Sequence, residues 1–304
     1  MIRIGLALLA LTSCTATPAA NQANASPTAE ADGVRVIQLA DDLREISGLA
    51  VAGPTSLFAH DDEQAVVREI SVQEGRILRS IRFGERGDYE GIAADGNRIF
   101  VITSEGRLSS FVAGPDGATV TPETVDTGAG EQCEIEGLSL APTPGRLLIL
   151  CKEIQGRGNR GRLLILAWDI AARQLVRQPF VDADLSETLG ENRRGFAPSG
   201  MDWDASRRRL VIVSARNRLL LELDENGRPT SQRVLDELRH PQAEGVAVMP
   251  NGALVISDEA GDSGGPGRLT VYPTAGSSRR LCDPGESRGK QSRLDCRVAF
   301  GSSQ

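Results

Sequence analysis

Along the middle of the chain, short apolar runs alternate with polar turns, and the alternation itself repeats. Each repeat opens on Ser or Glu, then Gly, then an aliphatic residue: Ser47-Gly48-Leu49, Glu90-Gly91-Ile92, Glu136-Gly137-Leu138, Ser199-Gly200-Met201 and Glu244-Gly245-Val246. A second apolar run follows each opening, at 57–59, 98–102, 146–150, 209–213 and 253–256. Third strands such as Gly106 to Phe111 and Gly267 to Tyr272 come next, and a more polar fourth strand, such as Arg76 to Ile81, closes most units. Four short strands per unit, separated by turns, predict the blades of an all-β propeller: four-stranded antiparallel blades around a central channel. The opening glycines lie 43, 46, 63 and 45 residues apart. The long interval exceeds its neighbours by about 18 residues, too few for another blade when such repeats need roughly 40. It reads as an insertion around Ser186 to Gly195, which gives five blades, with six as the alternative.

The fifth unit ends after its third strand, at Tyr272, and the apolar stretch from Val34 to Leu39 belongs to no unit. That stretch can supply the missing outer strand and close the ring, leaving fewer open edges. Arg297 to Phe300 competes for the same place. The expected organisation is a leader over 1–13, a small, polar tether over 14–33, the propeller over 34–273 and an Arg-rich tail over 274–304.

The N-terminus changes the picture from fold to location. A basic start at Arg3 precedes an apolar run of eight residues, Ile4 to Leu11, which is too short to span a bilayer but suits a signal peptide. It ends in Leu11-Thr12-Ser13-Cys14, which resembles a bacterial lipobox with Cys14 as the lipidated residue. Lipid on Cys14 would tether the protein to a membrane surface without a spanning helix. Thr15 after the cysteine, rather than Asp, favours the outer membrane if the host is Gram-negative. Four cysteines remain, Cys133, Cys151, Cys282 and Cys296. In an exported chain they suggest two disulfides out of three possible pairings, and sequence proximity favours Cys133–Cys151 and Cys282–Cys296.

The formal charge of −7 argues against a nucleic-acid partner, which needs a concentrated basic face. The acidity also directs attention to the channel. In a propeller the turn entering the first strand and the turn after the second lie on one face. That gathers Ser47, Glu90, Glu136, Ser199 and Glu244 with Asp61, Asp62, Glu105, Glu153, Asn217, Asp258 and Glu259. Converging glutamates repel one another, and a hard cation removes the repulsion. Calcium suits such a crown because it accepts six to eight oxygens in irregular geometry. With His60 and His240 as the only histidines, zinc is disfavoured. The proposed metal set is Glu90, Glu136, Glu244, Asp258, Glu259 and Glu153, with Ser47, Ser199 and Asp61 as further ligand-binding positions and no catalytic residue assigned. The alternative is structural, with each Glu-Gly pair closing a blade. Gly261 to Pro266 reproduces the nucleophile motif of chymotrypsin-like proteases, yet the repeats leave no room for that fold, and a Gly/Asp/Ser-rich loop between strands explains it.

Taken in order, these motifs resemble the SdiA-regulated (YjiK-like) five-bladed propeller family. The resemblance rests on Glu45 to Ala50, Cys133 to Ser139 with Cys151-Lys152-Glu153, Pro198 to Met201, and Gln242 to Ala247 with Val255 to Glu259. It implies a cell-envelope protein that binds calcium on the propeller face, with a signalling or regulatory role and an unknown protein or small-molecule ligand. Asp88 to Gly91 also resembles phytase-like esterase propellers, which makes a metal-dependent hydrolase of esters or phosphoesters the alternative.

Overall fold

The computed structural model describes residues 28–29, 33–159, 161–189, 195–261 and 264–274. Blade one is formed by Ile46–Gly53, Ser56–Asp61, Val66–Ser71 and Ile77–Arg82, in that order from the axis outward. Blade two follows with Tyr89–Asp95, Arg98–Thr103, Arg107–Val112 and Glu123–Asp126. Blade three has Cys133–Leu140, Arg146–Ile154 and Arg162–Asp169, and blade four has Gly200–Asp204, Arg209–Ser214, Leu219–Asp224 and Pro229–Val234. Blade five takes Ala243–Val248, Leu254–Asp258 and Arg268–Tyr272 from one end of the chain and Arg35–Gln38 from the other. The five inner strands contact one another in sequence, and the strand of blade five returns to that of blade one. This is a five-bladed propeller, as the repeat predicts.

The central residues of the second strands are apolar because both of their faces are buried, as in any sheet covered on two sides. Leu57 and Ala59 face blade five while Phe58, between them, faces blade two. Leu147, Ile149 and Cys151 face blade two, and Leu148 and Leu150 face blade four. Each gap between neighbouring blades thus holds its own apolar cluster. Between blades one and two, Phe83 stacks on Phe111 and meets Tyr89 edge-on, both at 5.0 Å between centroids.

Ring closure follows the first expectation. Arg35–Gln38 lies antiparallel to Arg268–Tyr272, with Arg35 opposite Val271 and Gln38 opposite Arg268, and Thr28–Ala29 adds a short edge beyond it. The competing candidate, Arg297 to Phe300, lies outside the described residues. The long interval begins earlier than its sequence suggests. The outer edge of blade three is split between Gln174–Leu175 and Val181–Asp184, both paired with Arg162–Asp169, and one short helix, Ser186–Leu189, follows. Cys133 and Cys151 form a disulfide across the first two strands of blade three. Cys282, Cys296 and the Cys14 segment lie outside the described residues. Among the described residues, no helix is long and apolar enough to cross a membrane.

Candidate functional site: an acidic mouth built on β-bulges

The inner strands of blades two, three and five share a defect at the same place. Tyr89 pairs with Thr103 and Gly91 with Ile102, which leaves Glu90 as an extra residue in the ladder. Ile135 pairs with Cys151 and Gly137 with Leu150, leaving Glu136. Ala243 pairs with Asp258 and Gly245 with Ser257, leaving Glu244. A β-bulge re-aims the side chain of its extra residue. Here three bulges, one per blade, carry one glutamate each to the same mouth of the channel.

Three of the opening glycines, Gly91, Gly200 and Gly245, press against the backbone of the next blade. A Cβ on Gly91 would sit 2.5 Å from the Leu138 nitrogen and 2.6 Å from the Gly137 carbonyl carbon. On Gly200 it would collide with the Glu244 carbonyl oxygen, and on Gly245 with the Ser47 carbonyl oxygen. The five opening glycines therefore form a tight collar, and the void inside it is only about 10 Å³. The collar divides the channel into two separate mouths.

Electrostatics at the acidic mouth is strongly perturbed. Burial raises the Glu90 carboxyl to about 9, and the neighbouring Glu136 and Asp88 push in the same direction. Glu136, 5% exposed, rises to about 7 through burial, although Lys152 opposes the shift. Glu244 is raised well above the usual carboxylate range by burial and by Glu259, Glu136 and Glu90. Glu259 rises to about 7 through burial, with Glu45 and Asp62 adding to it. Lys152 lies among them, its Nζ 2.8 Å from Glu136 Oε1 and 3.7 Å from Glu134 Oε1. Burial works against the Lys152 ammonium, but Glu136, Glu90 and Glu134 outweigh it and raise its pKa. Glu259 accepts a hydrogen bond from Gln242 Nε2. Asp62 Oδ1 is buried without a hydrogen-bond partner, and burial together with Asp61 raises that carboxyl.

The other predicted positions have different surroundings. Asp258 is fully buried between blades four and five, where His240 Nδ1 lies 2.8 Å from its Oδ2 and His240 Nε2 lies 2.6 Å from the Tyr272 hydroxyl. Glu153 faces solvent and pairs with Arg216 at 3.6 Å. Asp61 caps its own turn, accepting from the backbone of Glu63 and Gln64 and from Gln64 Nε2. The Ser199 hydroxyl donates to the Ala243 carbonyl at 2.5 Å, and the buried Ser47 accepts at its carbonyl from Ser257 Oγ at 3.0 Å. Asn217 accepts from Ala197 N and Ser214 Oγ in the turn after its strand. His60, fully buried, accepts the Gly48 N–H at Nε2, so its proton sits on Nδ1 toward the Asp61 carbonyl; burial lowers its pKa to about 4. In the protease-like stretch, Asp262 and Ser263 lie outside the described residues.

Lys152 is the residue that sequence reasoning missed. A signal for it existed: it is one of two lysines in a chain of 304 residues, and the other, Lys290, lies in the tail.

The oxygen-only donor set and the orphaned Asp62 oxygen suit a hard cation. Among the described residues, however, no three His, Cys, Asp or Glu side chains come together as a ready coordination group. The mouth offers concentrated charge rather than a finished cage.

Residues 182–261 match the SdiA-regulated family. The matched segment spans the outer edge of blade three, all of blade four and the first two strands of blade five, and it includes Glu244 and Glu259. Among solved structures, the chain is similar to glutaminyl cyclase from Myxococcus xanthus, at 18% identity and a TM-score of 0.54, covering 78% of this chain and 94% of that one. It is also similar to a luciferin-regenerating enzyme, at 12% identity and a TM-score of 0.49, covering 80% and 96%. The first likeness supports the fold.

Proposed function

We propose that this chain is an envelope-anchored propeller that binds a cation, calcium first among candidates, at its acidic mouth, and that it works as a binding module with a signalling or regulatory role. The observation that carries the reading is the set of three bulged glutamates, Glu90, Glu136 and Glu244, whose carboxyls are pushed upward by burial and by neighbouring carboxylates. A cation relieves that repulsion, and calcium tolerates the irregular, incompletely gathered oxygens better than a smaller ion does. The family match over 182–261 agrees with the family resemblance from which the envelope and signalling parts of the reading come.

A ligand that binds only the folded state stabilises it by RT ln(1 + [L]/Kd), which is about 2.7 kcal/mol at 100 times Kd. For a domain of this size that corresponds to a rise in Tm of roughly 5–10 °C. Differential scanning calorimetry of chelator-treated protein should show the rise on adding millimolar calcium. Glu136→Gln and Glu244→Gln should abolish most of it while keeping the fold. A Tm indifferent to both calcium and chelator would remove calcium from the proposal.

The anchor rests on Leu11 to Cys14. Cys14→Ala should shift the protein from the membrane fraction to the soluble fraction of the producing cell. Normal cleavage with unchanged membrane association in that variant would exclude lipidation as the tether.

A further inference from the structure

On the far side of the glycine collar the channel opens into a second cavity of about 510 Å³, lined by the ends of all five inner strands. The volume lies in the range of small-molecule sites, about 300–1,000 Å³. Its character is the opposite of the acidic mouth. Val51, Ala94, Leu140, Trp203 and Met249 give it apolar walls, and no Lys, Arg or His lines it.

One carboxyl breaks this apolar lining. Two residues after the opening glycine, the five blades carry Ala50, Ala93, Ser139, Asp202 and Ala247. Four of these are small and without charge, and only blade four presents an acid. Asp202 is held rigidly. Its Oδ1 accepts from Trp203 N at 2.8 Å and from Ser139 Oγ at 3.3 Å, and its Oδ2 accepts from Val248 N at 2.8 Å. A carboxylate offers about four acceptor positions, so one remains on Oδ2. Asp202 is deeply set but keeps part of its surface open to the cavity. The other carboxyl in the lining, Asp204, is buried and paired with Arg207 and Arg209. Asp202 is therefore the acid left to address an occupant, and an ammonium group beside it favours its ionised form.

The geometry points to this cavity as a second binding site, independent of the acidic mouth, for a small molecule with an apolar body and a single protonated amine directed at Asp202. The walls take up the apolar body, as burial of apolar surface drives such binding. Charge complementarity sets the polarity of the head group, because no cation in the lining could welcome a carboxylate or phosphate.

The test uses the full chain and three probes of matched shape: phenethylamine, 2-phenylethanol and 3-phenylpropanoate. Trp203 lines the cavity while the other tryptophan, Trp168, is buried between blades two and three, so intrinsic fluorescence reports the site directly. Phenethylamine should give a saturable change that disappears in Trp203→Phe. The alcohol should bind at least tenfold more weakly, and the carboxylate should not bind. Asp202→Asn should weaken the amine at least tenfold, and Ala94→Phe, which fills the cavity, should abolish the signal with an unchanged circular dichroism spectrum. The probe series on the wild-type chain decides the matter even if either cavity variant fails to fold. The acidic mouth also attracts ammonium groups, so calcium at saturation should leave the Trp203 signal in place. The inference is overturned by an absence of saturable amine binding, by equal affinity for all three probes, or by displacement with calcium.

Discussion

Chelator-treated protein should lose stability steadily as the pH rises from about 5 to about 9, the reverse of ordinary acid denaturation. The sign follows from linkage. Glu90, Glu136, Glu244 and Glu259 all titrate above their ordinary values in the folded chain. Between the unfolded pKa, near 4.3, and the folded ones, the folded state holds more protons, so raising the pH favours unfolding. One such carboxyl costs about 1.4 kcal/mol per pH unit at full effect, and one kcal/mol moves Tm by about 2–4 °C in a domain of this size. A fall in Tm of roughly 5 °C or more between pH 5 and pH 8 is therefore expected. Glu90→Gln should flatten the slope in its upper part and raise Tm at pH 8, since it removes the carboxyl held protonated to about 9. Asp202, at the opposite mouth, is raised to about 7 mainly by burial, so part of the slope survives in that variant. His60 acts in the other direction. Its lowered pKa makes stability fall as pH drops from about 6.5 through about 4. A Tm that rises across the alkaline range, or a slope untouched by Glu90→Gln, would show that the glutamates are neither buried together nor coupled as described.

The largest effect of any single substitution should come from the glycine collar. Gly91→Ala places a methyl group 2.5 Å from one backbone atom of blade three and 2.6 Å from another. Backbone cannot rotate away as a flexible side chain can, so two blades must separate. Overpacking in a close-packed interior typically costs about 1–3 kcal/mol, and a contact with rigid main chain belongs at or above the upper end. Gly91→Ala and Gly200→Ala should lower Tm by roughly 8 °C or more, or prevent recovery of folded protein. Gly96→Ala serves as the comparison: its φ of +57 makes it strained for any side chain, but no atom lies within 4 Å of its added Cβ. It should cost only about 1 kcal/mol. Equal losses at Gly91 and Gly96 in thermal melts would contradict a collar set by close packing.

The blades were legible because two signals coincided. A Gly-aliphatic opening recurs at blade spacing, and the second strands, buried on both faces, have continuous apolar centres. The closing strand was legible because the fifth unit lacks its outer strand while Val34 to Leu39 lacks a unit. Position along the chain also placed Glu90, Glu136 and Glu244 at one mouth. It did not separate them from Asp258 and Glu153, because what separates them is the bulge. A ladder defect moves one side chain off the alternation of the sheet, and no alternating pattern announces it. Asp258, still in register opposite Ala243, meets His240 instead. Lys152 was obscured for a related reason: attention to oxygen donors passed over the cation that sits between them. The split edge of blade three follows no repeat at all, since an outer strand packs on one side only and its sequence is weakly constrained.

The seam in blade five also has a consequence in time. Arg35–Gln38 and its partner Arg268–Tyr272 come from opposite ends of the propeller's sequence. A ribosome adding roughly 5–20 residues per second completes the first strand on the order of ten seconds to a minute before the second exists. For most of that interval the inner side of blade one has no neighbour across the seam, and throughout it the early strand presents an unpaired edge to whatever other chains are nearby. A chain that stops short of Arg268 thus holds the two inner strands of blade five against blade one but leaves Arg35–Gln38 without the strand it pairs with. Completion of blade five waits on the strand Arg268–Tyr272.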